Sequence, residues 1–307
     1  MITINVIYIL TALVLLWKGA DLLVDSSSRI AYGLGISQLI IGLTVVAFGT
    51  SVPEFAVSIG AALRGQSDIS VSNVIGSNIF NLGFIMGGVA IIRTIKSSAK
   101  LVWRDGMVMM AATIAIAWFL MDLRLSRLES LILFAGIIAY NVHLFTLKEP
   151  REDVDLSERV MQPSDFGILL LSIVSVLLGG YLLRCGSVTI ATAFGISQWV
   201  IGATIVAAGT SAPEFVTSLV ASLKGNHGIS AGNLIGSCTF NILGVLGIAG
   251  LLRPMQVDPQ ARFSLFLLVL LVLVSIMLLR HRWRLSRADG ILLVILSLIT
   301  WVTGYAG

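Results

Sequence analysis

ISQLIIGLTVVAFGTSVPEFAVS, residues 36–58, returns 160 positions later as ISQWVIGATIVAAGTSAPEFVTS, residues 196–218, with fifteen of the twenty-three positions identical. A second block, ISVSNVIGSNIFN at 69–81, returns at the same offset as ISAGNLIGSCTFN at 229–241, with eight of thirteen identical. Two matches at one spacing mark an internal duplication. Both copies lie in apolar runs, and both place a Glu directly after a Pro inside the run. Duplication and helix packing account for Gly42, Gly76, Gly202 and Gly236, because close helix contacts in lipid favour small residues. Packing does not require a carboxylate in lipid.

Around these blocks, the 307 residues are 57% hydrophobic and only 12% charged, whereas soluble domains carry roughly 25% charged residues. Apolar stretches long enough to span a bilayer fall at 3–24, 36–64, 69–92, 105–121, 128–147, 165–184, 196–223, 229–252, 263–279 and 288–305, each near the ~20 residues a crossing helix needs. The expectation is an all-α polytopic membrane protein of ten transmembrane helices. Residues 1–147 form a first five-helix repeat, 148–162 a linker, and 163–307 a second repeat. Five is odd, so the second repeat enters the membrane from the opposite side and the two are inverted.

Basic residues orient the chain. One set of loops holds thirteen: Arg29, Arg93, Lys96, Lys100, Arg104, Lys148, Arg151, Arg159, Lys224, Arg280, Arg282, Arg284 and Arg287. The other set holds six, and Lys18 lies alone in the first span, near enough to its end to snorkel. The positive-inside rule then puts both termini outside and the 148–162 linker in the cytoplasm; if the chain is prokaryotic, the membrane is the inner one.

Several classes are excluded or disfavoured. The net charge of +4 reads as loop residues facing headgroups, with no basic block implying nucleic acid. The first apolar run is too long for a signal-peptide core. Cys185 and Cys238 lack metal or redox spacing and read as small buried side chains. The linker KEPREDVDLSERVMQ alternates acids with Arg and lacks the Gly turn of a calcium loop. Asp21, Asp25 and His143, near span ends, read as solvated positions. No nucleophile–base pair suggests an enzyme, and neither a protein partner nor a resident cofactor is expected.

Glu54 and Glu214 lie deep in their spans, where an ionised carboxylate costs several kcal/mol without compensation. Every Lys and Arg except Lys18 sits at a boundary or in a loop, so the missing partner is a cation from solution. Pro53 and Pro213 donate no backbone hydrogen bond, which frees the carbonyls of Gly49 and Gly209 and kinks or unwinds the helix. Broken helices at matching places in two repeats are a sequence pointer to a transporter's substrate site. Ala47, Thr50, Ser51 and Glu54 share a helical face, as do Ala207, Thr210, Ser211 and Glu214. On the following spans Ser77 and Asn81 stand one turn apart, with Ser237 and Asn241 matching them. Asn73 and Asn233 read as ties between the kinked helices. This donor set is all oxygen and amide, with neither His nor Cys, so it suits hard cations such as Ca²⁺ and Na⁺. Two glutamates balance one Ca²⁺, and Na⁺ ions reuse the same oxygens.

With both GTSxPEF blocks and both GSxxFN blocks in view, the chain closely resembles the sodium/calcium exchanger family of the cation/calcium exchanger superfamily, in its compact prokaryotic form. The resemblance covers essentially the whole chain. It implies that Glu54 and Glu214 are the shared calcium ligands. It further implies that Thr50, Thr210, Ser51, Ser77, Ser211 and Ser237, with the carbonyls of Ala47 and Ala207, complete the calcium and sodium sites, with Asn81 and Asn241 at the centre. The first and sixth spans would slide across the other eight. Some relatives, including potassium-dependent ones, carry an acid where this chain has Asn241, which argues against potassium co-transport. Thr-Ser before each Pro favours sodium over proton coupling. The expected activity is secondary antiport of Na⁺ against Ca²⁺ by alternating access, with calcium extruded; the rival is a Ca²⁺/H⁺ exchanger. A passive channel would carry calcium with no countertransported ion.

Overall fold

The structure is a computed structural model describing residues 2–147, 161–195, 205 and 207–305. It is almost entirely helical. The first half comprises α1 (Ile2–Leu34), α2 (Gln38–Thr50), α3 (Val52–Leu63), α4 (Ser67–Ile92), α5 (Leu101–Asp122) and α6 (Arg127–Thr146). The second comprises α7 (Ser164–Ala193), α8 (Ala207–Thr210), α9 (Ala212–Leu223), α10 (His227–Leu252), α11 (Gln260–Trp283) and α12 (Arg287–Tyr305). Four two-residue strands join them: β1 (Ile95–Lys96), β2 (Arg124–Leu125), β3 (Met255–Gln256) and β4 (Arg284–Leu285). Among the described residues seven helices are long and apolar enough to cross a membrane, or eight with α2 and α3 counted as one bent span. The protein is integral and multi-pass. The start of the expected seventh span, and residues 148–160 of the linker, lie outside the described residues.

Two expected boundaries move. The first helix runs to Leu34 rather than residue 24, and its counterpart α7 to Ala193 rather than 184. At ~1.5 Å per residue α1 is ~50 Å long, well beyond the hydrocarbon thickness, which the apolar run alone did not reveal. Its extra turns are held by ion pairs. Arg29 Nε meets the nearly buried Asp165 at 2.7 Å, and Lys224 Nζ reaches Asp21 at 2.6 Å and Asp25 at 2.9 Å. The two aspartates are therefore paired as well as solvated. The helix stops where Gly35, at φ 70°, turns left-handed and its amide and that of Ile36 bond back to Tyr32 and Ala31.

Packing follows the small residues. α1 crosses α7 at Gly19 and Gly179, repeat equivalents whose added Cβ atoms would meet Ser175 Oγ at 2.9 Å and the Leu16 amide at 3.0 Å. Leu16, Ala20, Leu23 and Val24 of α1 join Val176, Val220 and Ala221 in an apolar cluster separate from the larger one between α4, α5, α6, α10 and α11. Gly42 and Gly236 do lie against neighbouring backbone, but nothing stands within 4 Å of a Cβ added at Gly76, so packing does not explain that glycine; Gly202 is outside the described residues.

The strands cross between halves. β1 pairs antiparallel with β4, and β2 with β3. By the 160-residue offset β1 corresponds to β3 and β2 to β4, so each strand pairs with the equivalent of the other.

Candidate ion-binding site

Local sequence breaks both GTSxPE helices at the same residue. α2 ends at Thr50, Ser51 leaves helical geometry (φ −83°, ψ 7°), and α3 restarts at Val52, bent by 52°. Ser211 does the same (φ −91°, ψ 8°) between α8 and α9. The break falls two residues before each proline, which puts Pro in a first helical turn where its missing N–H costs nothing. Glu54 and Glu214 consequently occupy the first turns of α3 and α9, where the helix dipole favours a negative charge. The sequence expectation of one continuous face is thereby replaced by a corner that turns Ser and Glu toward the other half.

Contacts at that corner are exchanged between repeats. Ser51 Oγ donates to Glu214 Oε1 at 3.0 Å, and Ser211 Oγ donates to Glu54 Oε1 at 3.0 Å. Thr210 and Thr50 stand beside Glu54 and Glu214 in the same crossed sense. Both glutamates are fully buried. Their Oε2 atoms have no hydrogen-bond partner among the described residues, and neither carboxylate is in an ion pair there. Each acid thus spends one oxygen on the opposite serine and keeps the second bare. A bare buried carboxylate oxygen is costly unless a cation completes it.

Further oxygens gather nearby. The Ala47 carbonyl accepts the Ser51 amide at 3.1 Å, Thr50 Oγ1 at 3.4 Å and, from the other half, Ser237 Oγ at 3.5 Å. Thr50 Oγ1 also donates to Asn233 Oδ1 at 3.1 Å, so its hydroxyl is not merely turned back on its own helix. Ser77 is buried one turn before Asn81, and Ala207 begins the short helix α8 that ends at Thr210. Asn81 is fully buried beside Cys238, with neither amide atom bonded to N or O among the described residues, and there Asn241 keeps its Oδ1 unpartnered while Nδ2 donates to Asn78 Oδ1 at 3.1 Å. Gly49 and Gly209 lie against Ile173 and Arg184 of α7.

Asn73 and Asn233 brace the broken helices. Asn73 Nδ2 donates to Ser58 Oγ at 2.9 Å and to the Glu54 carbonyl at 3.3 Å, and Asn233 does the same to Ser218 Oγ at 2.9 Å and the Glu214 carbonyl at 3.4 Å. Asn78 escaped the sequence reading. It donates to the Cys238 carbonyl at 3.1 Å and holds Asn241; because its repeat position is Cys238, no duplicated motif pointed to it. Also unforeseen were π-helical turns at Gly42–Val46, Asn81–Ile85 and Asn241–Leu246, distortions that often accompany functional sites. The latter two begin at Asn81 and Asn241.

No group of three or more His, Cys, Asp or Glu occurs among the described residues. The donor set is therefore two carboxylates plus neutral oxygens, suited to a hard ion of modest charge.

A family model described as "Sodium/calcium exchanger protein" matches residues 4–146 and 164–303. The "Putative antiporter CaxA" of Alkalimonas amylolytica is 37% identical over 302 residues, covering 94% of each chain. The "Sodium/calcium exchanger MaX1" of Methanosarcina acetivorans is 33% identical, covering 96% of each. The fold superposes on the solved sodium-calcium exchanger NCX_Mj with a TM-score of 0.86 at 32% identity, covering 100% of both chains. Duplicated broken helices, crossed Ser–Glu contacts and these four likenesses together make the chain a member of the sodium/calcium exchanger family.

Proposed function

We propose that the chain is an antiporter exchanging Na⁺ for Ca²⁺ by alternating access, with sodium entry driving calcium out. The observation that carries this is the pair of buried glutamates, each with one oxygen bonded across the repeat and one left bare. Two negative charges neutralise one Ca²⁺, and Na⁺ ions occupying the same oxygens exclude it. The ligands are Glu54, Glu214, Thr50, Thr210, Ser51, Ser211, Ser77 and Ser237 with the carbonyls of Ala47 and Ala207, and Asn81 and Asn241 lie between them. Pro53, Pro213, Gly49 and Gly209 break the helices that carry these groups.

The architecture behind the mechanism is ten spans in two inverted repeats, 1–147 and 163–307, joined by the 148–162 linker. Strand pairing supports the inversion. α5 carries the chain from β1 to β2 across a membrane thickness, so the β1·β4 and β2·β3 ribbons belong to opposite faces. α4 then ends on one face and its repeat equivalent α10 on the other. The close α1–α7 packing through Gly19 and Gly179 supports movement of that pair as one unit against the remaining helices. Both termini lie outside and the linker is cytoplasmic, following the charge of the loops.

Calcium uptake into proteoliposomes tests the coupling, with Na⁺, K⁺ and H⁺ gradients imposed one at a time. Uptake following the Na⁺ gradient at fixed pH, indifferent to K⁺, is expected. Uptake driven by a pH gradient alone would instead support Ca²⁺/H⁺ exchange, and flux with no counter-ion a channel.

A further inference from the structure

The β1·β4 ribbon gathers basic residues that the sequence keeps nearly two hundred positions apart. Its register sets Lys96 directly opposite Arg284 and the buried Ile95 opposite the buried Leu285. Register partners share a face, so the two cations stand side by side, at the ~5 Å Cβ spacing at which like charges oppose pairing. Arg93, Lys96, Arg280, Arg282, Arg284 and Arg287 are all exposed, and among the described residues none of the six makes an ion pair. The nearby acids are taken. Asp289 accepts from the Ser286 amide and hydroxyl, and buried Asp105 from Arg104 and Tyr140.

Interfacial aromatics flank the cluster. Arg280 lies over the Trp283 ring at 4.5 Å and over Trp103 at 5.8 Å, and Trp residues favour the headgroup level of a bilayer. The turn that presents them is strained, since Arg282 and Trp283 both adopt positive φ, at 57° and 52°. Such geometry persists only where the surroundings enforce it. Here Ser97 donates its amide to the Trp283 carbonyl at 2.9 Å, tying the turn to β1. The other ribbon differs: its equivalent register sets Arg124 opposite neutral Gln256, so the repelling pair is not a by-product of duplication.

We propose that the β1·β4 ribbon binds the phosphodiester headgroup of an anionic phospholipid. Lys96 and Arg284 share the phosphate, which relieves their mutual repulsion, while Arg280 and the two tryptophans sit at the level of the glycerol. The occupant is a bilayer lipid rather than free phosphate, because the ribbon closes the membrane ends of α4 and α11 and its aromatic flank needs an apolar neighbour.

Native mass spectrometry of the delipidated, full-length protein in detergent, titrated with phosphatidylglycerol or phosphatidylcholine, tests this. Wild type should bind phosphatidylglycerol preferentially. Lys96→Gln/Arg284→Gln should weaken that binding about thirtyfold, the product of two cations near a negative surface. Arg124→Gln/Arg127→Gln, which removes the same charge at the opposite ribbon, should leave it within about threefold, and inorganic phosphate should not compete. Equal effects of the two double variants, or equal affinity for the two lipids, would overturn the site. Displacement by inorganic phosphate would assign the pocket to the free ion and equally refute the lipid. Calcium binding by each variant, expected to be unchanged, verifies folding independently of the lipid result.

Discussion

Gly236→Ala is the substitution for which the structure fixes both the cost and its control. A Cβ at 236 would meet the Leu43 carbonyl oxygen at 2.5 Å, Leu43 Cα at 2.7 Å and Ala47 Cβ at 2.8 Å, whereas ordinary contact begins at 3.4 Å. None of those atoms can swing away, so α2 must retreat from α10 by about 1 Å, an overpacking cost of about 1–3 kcal/mol. The retreat moves Ala47, whose carbonyl accepts from Ser237 Oγ, and pulls the two apart. Its repeat equivalent Gly76 has open space around the same added Cβ, and the helix propensity gained by Ala, about 1 kcal/mol, is common to both variants and cancels in the comparison. Thermal aggregation of the detergent-solubilised protein and calcium uptake by proteoliposomes should therefore separate the two. Gly236→Ala should melt earlier and transport poorly; Gly76→Ala should match or exceed wild type in stability and transport normally. Indistinguishable behaviour would refute the close α2–α10 approach.

Other expectations follow from single contacts. Ser51→Ala and Ser211→Ala each remove a hydrogen bond to a glutamate of the opposite half, about 1.5–3 kcal/mol when the acceptor is charged, so each should lower calcium affinity by about ten- to a hundredfold in calorimetric titration; a loss confined to one of them would contradict the crossed geometry. Arg29→Ala leaves the buried Asp165 carboxylate without its cation and should lower the aggregation midpoint by the equivalent of about 1–3 kcal/mol, discounted because Arg29 is partly solvated. Adding Asp165→Asn to that variant should recover part of the loss, and no recovery would show that the pair is not the cause. Asn78→Ala strips Asn241 of its amide acceptor, worth about 1–3 kcal/mol for a buried polar group, and should reduce transport more than the outward-facing Ser72→Ala.

Much of the site was legible because its chemistry is written twice. Glu54 and Glu214 stood out as acids without partners, and Pro53 and Pro213 located the breaks to within two residues. The side-chain direction was not legible: a 3.6-residue period continued through Ser51 puts Ser and Glu on one face, and only the broken backbone sends them to the opposite half. Asn78 was hidden because its bond partners lie across the duplication and its repeat position is Cys. The lengths of α1 and α7 were hidden because apolar content marks where lipid ends, not where the helix does; in α1 the Arg29–Asp165 and Lys224–Asp25 pairs extend the order through residues distant in sequence. The β1·β4 ribbon was equally invisible, since two-residue strands carry no periodicity.

Glu54 and Glu214 are proposed to close around one hard cation. Crystals soaked in calcium, or in strontium for its anomalous signal, measure this directly. A single peak within about 2.3–2.6 Å of both Oε2 atoms, absent from Glu54→Gln and Glu214→Gln, is the predicted result; a divalent ion bound to one glutamate alone, or seated elsewhere with both Oε2 atoms still bare, would contradict it.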